Sequence, residues 1–144
     1  MPIIKHKLSK RSLRRLQGLH PDMVKVVKRA STILRYGGHP YVDFSVGESV
    51  RTLERQRKLM SIGATKTMNS RHLRASNGYS HAVDLIALID GKVTWSWESG
   101  AFDIIADAMK QAAREYRIPI QWGGDWKSFK DGPHFQLPWR EYPK

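Results

Sequence analysis

Three separated segments of the chain contain side chains that together could bind one metal ion and hydrolyse a bond. They are Ser70-Arg71-His72, Ala82-Val83-Asp84 and Asp131-Gly132-Pro133-His134. A hydrolytic zinc site needs three protein ligands, an open position for water, and a nearby base that takes the proton of that water. The segments supply two imidazoles, one carboxylate in a strand-like stretch, and a second carboxylate, Asp131, three residues before the last imidazole. Together they contain every group that such a site requires.

These residue types are not specific by themselves. A single histidine is more often a surface or hydrogen-bonded residue than a metal ligand, and widely separated ligands form no local spacing pattern. Asp84 is more informative, because it lies within the apolar stretch Ala82–Ile89, and a carboxylate that faces a core needs a partner. A metal ion is a suitable partner. The chain has no cysteine, so any metal must be held by His, Asp or Glu, and no disulfide can form.

Length and composition predict one folded domain. The chain has 144 residues, of which 40% are apolar and 26% charged, as in ordinary packed globular proteins. We expect a single domain over residues 1–144, in which a basic helical part, residues 1–38, precedes a core that contains the metal site, residues 39–144.

Positive charge is concentrated at the start of the chain. The formal net charge is +12, and residues 1–35 contain one acidic residue, Asp22, against ten basic ones: Lys5, Lys7, Lys10, Arg11, Arg14, Arg15, Lys25, Lys28, Arg29 and Arg35. Such a patch attracts polyanions, and both nucleic acid and an anionic bacterial envelope are candidates. The alternative is a solvated helix face that has no partner.

The apolar pattern predicts an α+β fold. Residues around Leu13 and Leu16 predict a short helix, and the segment after Pro21 predicts a second helix that ends at Gly37-Gly38. The remaining predicted elements are a strand at 42–46, a helix at 52–62, a long loop at 64–80, a hairpin of 82–89 and 92–97, a helix at 102–116, and strands at 120–122 and 134–137. This order favours a small antiparallel sheet flanked by helices over a βαβ array.

Signals for export and membrane insertion are absent from the sequence. The basic N-terminus lacks the apolar stretch and small-residue cleavage site of a signal peptide, and no run of about 18 apolar residues could span a bilayer. We therefore expect synthesis in a cytoplasm without stable membrane insertion.

Seven short motifs occur in order over roughly residues 12–139. They are Gly18-Leu19-His20-Pro21, residues 49–56, Gly63-Ala64-Thr65-Lys66-Thr67, Ser70-Arg71-His72, His81-Ala82-Val83-Asp84, Gly123-Gly124-Asp125-Trp126 and residues 131–137. This set resembles the zinc peptidases that cleave the stem peptides of bacterial peptidoglycan. The family includes D-alanyl-D-alanine carboxypeptidases, vancomycin-resistance dipeptidases and the L-alanyl-D-glutamate endopeptidases of tailed phages. The small size and the lack of a signal peptide are most similar to a phage endolysin.

The resemblance implies a hedgehog/DD-peptidase-like catalytic domain and a role for each site residue. It implies that zinc is held by His72, Asp84 and His134. Asp131 corresponds to the general base, and Arg51 corresponds to the residue that polarises the scissile carbonyl and stabilises the oxyanion. Ser70 and Gln56 are the implied substrate-binding residues.

One spacing departs from the family pattern. The pattern places the ligand Asp seven positions after the ligand His, whereas Asp84 follows His72 by twelve. His81 is therefore an alternative first ligand. We favour His72, because His81 and Asp84 are three residues apart in an extended segment and their side chains should point to opposite faces.

The predicted function is cleavage of the L-alanyl-D-glutamate bond of peptidoglycan by a zinc-dependent endolysin that causes lysis. A D-alanyl-D-alanine carboxypeptidase with the same zinc site is the nearest alternative. A non-enzymatic envelope- or nucleic-acid-binding module is the alternative from another class. We expect a monomer whose partners are peptidoglycan and an anionic envelope surface, without nucleic acid. The resemblance further implies holin-type release from the host cytoplasm to the cell wall.

Overall fold

The computed structural model describes residues 8–39 and 41–144, so Lys5 and Lys7 of the basic segment lie outside the described residues. The helices are α1 (Lys10–Arg15), α2 (Pro21–Tyr36), α3 (Leu53–Ser61) and α4 (Ala101–Tyr116), with a short 3-10 turn at Gly123–Asp125. The strands are β1 (Val42–Val46), β2 (Ala82–Ile89), β3 (Lys92–Val93), β4 (Gln121–Trp122) and β5 (His134–Gln136). Among the described residues, none of the helices is long and apolar enough to cross a membrane.

The strands form one antiparallel sheet in the order β1-β2-β5-β4, and β3 pairs with the far end of β2. The predicted α+β fold with a small antiparallel sheet flanked by helices is therefore confirmed. The predicted hairpin strand at 92–97 was too long, because pairing ends after Val93. Beyond it, the Thr94 hydroxyl accepts a hydrogen bond from the Ser96 amide, which turns the chain away from β2 toward α4.

The hydrophobic core lies between the sheet and the pair α2 and α4. Both helices are amphipathic, and their apolar stripes face each other and the strands. The buried residues include Met23, Val26, Val27, Ala30, Phe102, Ile105, Met109, Phe44, Leu85 and Phe135. Because α2 contributes to the same core as β5, this helix of the basic N-terminal part is packed into the body of the protein.

Strand alternation determines what the other face of the sheet presents. In β2, Val83 and Leu85 are buried in the core, whereas the intervening Asp84 is only partly buried. In β5, Phe135 is a core residue and His134 pairs directly with Asp84. Because successive side chains of a strand point to opposite faces, Asp84 and His134 share the face turned away from the core. The polar site is built on this face.

Candidate metal and catalytic site

Three side chains bring their donor atoms to one point. His72, Asp84 and His134 each offer a ligand atom, and these atoms all lie within 4.8 Å of one another. His72 Nε2 and His134 Nδ1 lie 3.3 and 3.2 Å from the same Asp84 oxygen, Oδ1. The two imidazole rings meet edge to face, with centroids 5.1 Å apart. Two imidazoles and a carboxylate on one side of a cleft form the donor set of a catalytic zinc site.

The far side of each ring is occupied by another hydrogen-bond acceptor. His72 Nδ1 lies 2.9 Å from the carbonyl oxygen of Ser49, and His134 Nε2 lies 2.8 Å from Oε1 of Gln136. A neutral imidazole that donates to its outer acceptor keeps its inner nitrogen free to bind a metal. Each ring thus has an acceptor at both of its nitrogens. The gap between the inner nitrogen and the Asp84 carboxylate can therefore be filled either by a second proton on the ring or by a cation. The residues therefore fit a metal ion.

The same contacts determine how Asp84 and His134 ionise. Burial disfavours the Asp84 carboxylate, but hydrogen bonds from His134 and His72 outweigh it and hold the Asp84 pKa well below its usual range. Burial likewise opposes protonation of His134, but the hydrogen bond and negative charge of Asp84 raise its pKa above the ordinary value. The site therefore attracts positive charge to the point where the three donors meet.

His72 reaches the site from the long loop at 64–80. Its backbone amide donates to the Ser70 hydroxyl at 3.2 Å, and its carbonyl accepts from the Arg51 amide at 2.9 Å. The loop is thereby joined to the segment that precedes α3. The other candidate, His81, is directed elsewhere: its ring contacts His20, with centroids 5.4 Å apart. The structure thus places His72, not His81, next to Asp84.

Asp131 lies in the turn before β5 and lines the same cleft. Partial burial and the negative charge of Asp84 raise the pKa of the Asp131 carboxyl above its usual value. The turn packs against Gly123. The Asp131 backbone amide donates to the Gly123 carbonyl at 3.1 Å, and a Cβ added at Gly123 would lie 2.9 Å from the Asp131 Cβ. Only glycine at 123 leaves room for Asp131 in this position.

Arg51 is held by a network that extends beyond the residues predicted from sequence. Its Nε and Nη2 donate to the two carboxylate oxygens of Glu48 at 2.8 and 3.1 Å, and its Nη1 donates to Gln56 Oε1 at 2.9 Å. The Ser70 hydroxyl lies 3.5 Å from Nη1. Burial raises the pKa of Glu48, but the Arg51 hydrogen bonds dominate and the net shift is downward. Such a bidentate pair fixes the plane of the guanidinium.

The two predicted substrate-binding residues differ in position. Ser70 lines the cleft, whereas Gln56 is fully buried. The Gln56 amide is engaged at both ends, because its Nε2 donates to the Thr67 carbonyl at 2.6 Å while its Oε1 accepts from Arg51. This placement favours a role for Gln56 in orienting Arg51 over direct contact with substrate.

Sequence reasoning missed Glu48, Ser49 and Gln136. Glu48 stands three residues before Arg51, and this Glu-x-x-Arg spacing is the signal that could have identified it. Gln136 stands two residues after His134, on the same face of β5, so strand alternation could have identified it as well. Ser49 acts through its backbone carbonyl, for which the sequence contains no signal.

The predicted ligands, Asp131, Arg51 and Ser70 all line one cleft with a volume of about 340 Å³. Trp126 and Gln136 line it beside them. Its lining also includes Arg55 of α3, and Thr65 and Thr67 of the loop that follows α3. The cleft can therefore hold an extended peptide segment against the three donor atoms.

Comparisons with known proteins agree on one family. Residues 4–137 match the family described as phage L-alanyl-D-glutamate peptidase. The crystal structure of the Serratia marcescens L-Ala D-Glu endopeptidase ChiX is 43% identical in sequence, with a TM-score of 0.80 over 95% of this chain and 93% of that chain.

Two phage proteins, each named L-alanyl-D-glutamate peptidase, are also similar. The protein of Escherichia phage T5 is 27% identical over 128 residues, which cover 87% of this chain and 85% of that protein. The protein of Listeria phage A118 is 31% identical over 102 residues. That match covers 70% of this chain but only 32% of the Listeria phage protein, so the chain spans about a third of that relative.

Proposed function

The chain belongs to the phage L-alanyl-D-glutamate peptidase family, and from this premise we propose that it is a zinc-dependent peptidoglycan hydrolase. The bond that we propose for cleavage joins L-alanine to D-glutamate in the stem peptide. The observation that carries the proposal is the convergence of His72, Asp84 and His134 in a cleft that also contains Asp131 and Arg51. We further propose that residues 1–144 act as one catalytic domain.

Zinc would be held by His72 Nε2, His134 Nδ1 and the Asp84 carboxylate. When bound, zinc supplies a Lewis acid and lowers the pKa of a water molecule to about 7. The backbone carbonyl of Ser49 and the side chain of Gln136 keep each imidazole in the tautomer that offers its inner nitrogen. Asp84 contributes the negative charge that favours a cation at this point.

Asp131 is the proposed general base. Its carboxylate accepts the proton of the attacking water and then passes that proton to the nitrogen of the leaving D-glutamyl residue. A carboxyl whose pKa lies above the ordinary value holds a proton more firmly than a free aspartate, and so suits both acceptance and return.

Arg51 is the proposed donor to the scissile carbonyl oxygen. A guanidinium has five N–H groups, of which Glu48 accepts two, Gln56 one and the Ser70 hydroxyl, at 3.5 Å, one. The fifth N–H group, on Nη2, is available to the carbonyl oxygen as negative charge develops on it. Because Glu48 and Gln56 fix the guanidinium plane, little reorganisation is needed during the reaction.

The basic surface gives a proposed second contact with the wall. Lys10, Arg11 and Arg14 of α1 are exposed, as are Lys25 and Lys28 of α2. Two other basic residues are engaged within the protein: Arg15 donates to the Val46 carbonyl at 3.1 Å, and Arg29 forms an ion pair with Glu115 at 2.6 Å. We propose that the exposed set attracts the enzyme to an anionic envelope after release from the host cytoplasm, and that wall cleavage then causes lysis.

Mass spectrometry of digested peptidoglycan tests the proposed bond. Purified wall treated with the enzyme should yield stem peptides with a new N-terminal D-glutamyl residue and glycans that retain L-alanine. Release of free D-alanine alone would instead identify a D-alanyl-D-alanine carboxypeptidase. Protein with Asp131→Ala, treated in parallel, controls for contaminating hydrolases.

A further inference from the structure

The three arginines that line the cleft differ in how far their side chains are engaged. Arg51 is bound to Glu48 and Gln56. Arg71 is buried, donates to the Leu137 carbonyl at 3.0 Å, and stacks on the Trp139 ring at 4.0 Å. Arg55 is exposed, and within the described part of the chain its guanidinium has no recorded hydrogen bond or ion pair. Of these three guanidiniums, Arg55 is therefore the one with all of its N–H groups available to a ligand.

Local structure gives no stabilising reason for a positive charge at Arg55. The residue lies in the first turn of α3, where the helix dipole favours negative side chains, and it follows Arg51 by one turn. Its backbone amide is already capped by the Thr52 hydroxyl at 3.0 Å, a contact that any residue would make. Residues that break a local preference in this way are expected mainly where function requires them.

The charges of the cleft restrict where a negatively charged substrate group can lie. Three acidic residues line the cleft: Asp84 and Asp131 belong to the proposed reaction centre, and Glu48 is paired with Arg51. The proposed function reserves the donor point for the metal ion and the scissile carbonyl, so a free carboxylate of the substrate needs a cation elsewhere in the cleft. Arg55 supplies that cation, and Thr65 and Thr67, which line the same cleft, contribute two side-chain hydroxyls to it.

The proposed substrate carries such a carboxylate, so this inference rests on the proposed function. D-Glutamate is joined to L-alanine through its amine and to the next residue through one of its two carboxyl groups, which leaves the other free. We propose that Arg55 binds this free carboxylate, so that the enzyme distinguishes stem peptides with D-glutamate from those in which the same group is an amide. Arg55 is thus a specificity-determining residue on the leaving-group side of the scissile bond.

The test uses two soluble stem peptides that differ only at this group, one with the free carboxylate and one with the carboxamide. The zinc-loaded wild type should cleave the carboxylate peptide with the higher kcat/KM. Arg55→Gln should lower kcat/KM on the carboxylate peptide by about tenfold, chiefly through KM, because one exposed charge-assisted interaction is lost. Its kcat/KM on the carboxamide peptide should be nearly unchanged, and Arg55→Lys should recover part of the preference.

Arg57→Gln is the matched control, because Arg57 is an exposed arginine of the same helix that does not line the cleft. It should leave both rates unchanged, and neither variant should lower the thermal unfolding midpoint. If Arg55→Gln lowered kcat/KM equally on both peptides, or if the wild type did not discriminate between them, this inference alone would be overturned. A wild type that cuts neither peptide between alanine and the glutamyl residue would overturn the proposed function as well.

Discussion

Among the described residues, two pairs of histidines look alike in composition and differ in chemistry. The site cluster consists of His72 and His134, with Asp84 between them. The second cluster consists of His20 and His81, whose ring centroids lie 5.4 Å apart, compared with 5.1 Å in the site cluster. The ring contacts are thus similar in the two places, and three of the four rings are buried, while His20 is half-buried.

The clusters differ in where their carboxylates lie. In the site cluster, both imidazoles face one oxygen of Asp84. In the second cluster, the nearest acid is Asp22, which lies 4.0 Å from His20 Nδ1 and accepts a hydrogen bond from the Tyr142 hydroxyl at 2.7 Å. His81 Nδ1 has no hydrogen-bond partner among the described residues.

Because of this difference, the pKa values of the two imidazoles shift in opposite directions, although burial lowers both. Next to Asp84, the pKa of His134 rises despite burial. Without such a carboxylate, burial and the positive charges of Arg71 and His20 lower the pKa of His81 to about 4. A shared carboxylate, and not the number of buried imidazoles, therefore distinguishes a candidate metal site from a packing cluster.

The largest expected effect comes from removing an imidazole of the site cluster. His72→Ala and His134→Ala should each lose zinc and all measurable hydrolysis, because three ligands are the minimum for a stable catalytic site. His81→Ala, the matched change in the second cluster, should retain one zinc per chain. Elemental analysis of the purified variants measures this directly. Zinc loss in His81→Ala with retention in His72→Ala would show that the ligand assignment is reversed.

The next largest effect is expected at Asp131, which lines the cleft without belonging to the site cluster. Asp131→Ala should keep its zinc and lose turnover by about a hundredfold or more, the usual cost of losing a general base. Steady-state hydrolysis of a soluble stem peptide, combined with zinc analysis, separates this outcome from ligand loss. Near-normal turnover in this variant would exclude Asp131 as the base.

The second cluster should control stability in acid. Because the folded-state pKa of His81 is about 4 and its ordinary value is 6.5, the unfolded chain binds more protons between these values. The contribution of neutral His81 to the free energy of unfolding is complete above pH 6.5 and is lost as pH falls toward 4. The loss is at most about 3 kcal/mol. Denaturant unfolding at several pH values should show a flatter profile for His81→Gln.

His39→Gln is the control for this measurement, because His39 is exposed and its substitution should leave the slope unchanged. If His81→Gln kept the wild-type slope between pH 6.5 and 4, some other group would be responsible for the acid sensitivity.

The smallest effect is expected far from both clusters, on the basic surface. Neutralising Lys10, Arg11 and Arg14 together should weaken binding to purified cell walls and reduce its salt dependence, since such attraction is screened within about 8 Å at physiological salt. Cleavage of a small soluble stem peptide should stay nearly unchanged. Arg15 is left intact because it donates to the Val46 carbonyl. Equal losses on wall and soluble peptide would indicate a structural role for these residues.

Sequence patterns predicted the elements that carry the site because these patterns are local. The apolar stretch of β2 was predicted with its observed bounds, Ala82–Ile89, and the two-residue period places Asp84 on the face opposite Leu85. The same parity argument directs His81 away from Asp84, as the structure shows. The hairpin strand after Gly91 was predicted too long, because a side-chain turn at Thr94 ends the pairing and has no periodic signal.

What only the tertiary structure decided is which distant groups meet. The loop at 64–80 has no periodicity, so the return of His72 to Asp84 depends on non-local contacts such as the one with the Ser49 carbonyl. The bond between Glu48 and Arg51, the buried position of Gln56 and the free guanidinium of Arg55 likewise depend on how α3 packs beside the loop. Residue types and strand parity are properties of the sequence, whereas the convergence of donors is set by the close packing of segments far apart along the chain.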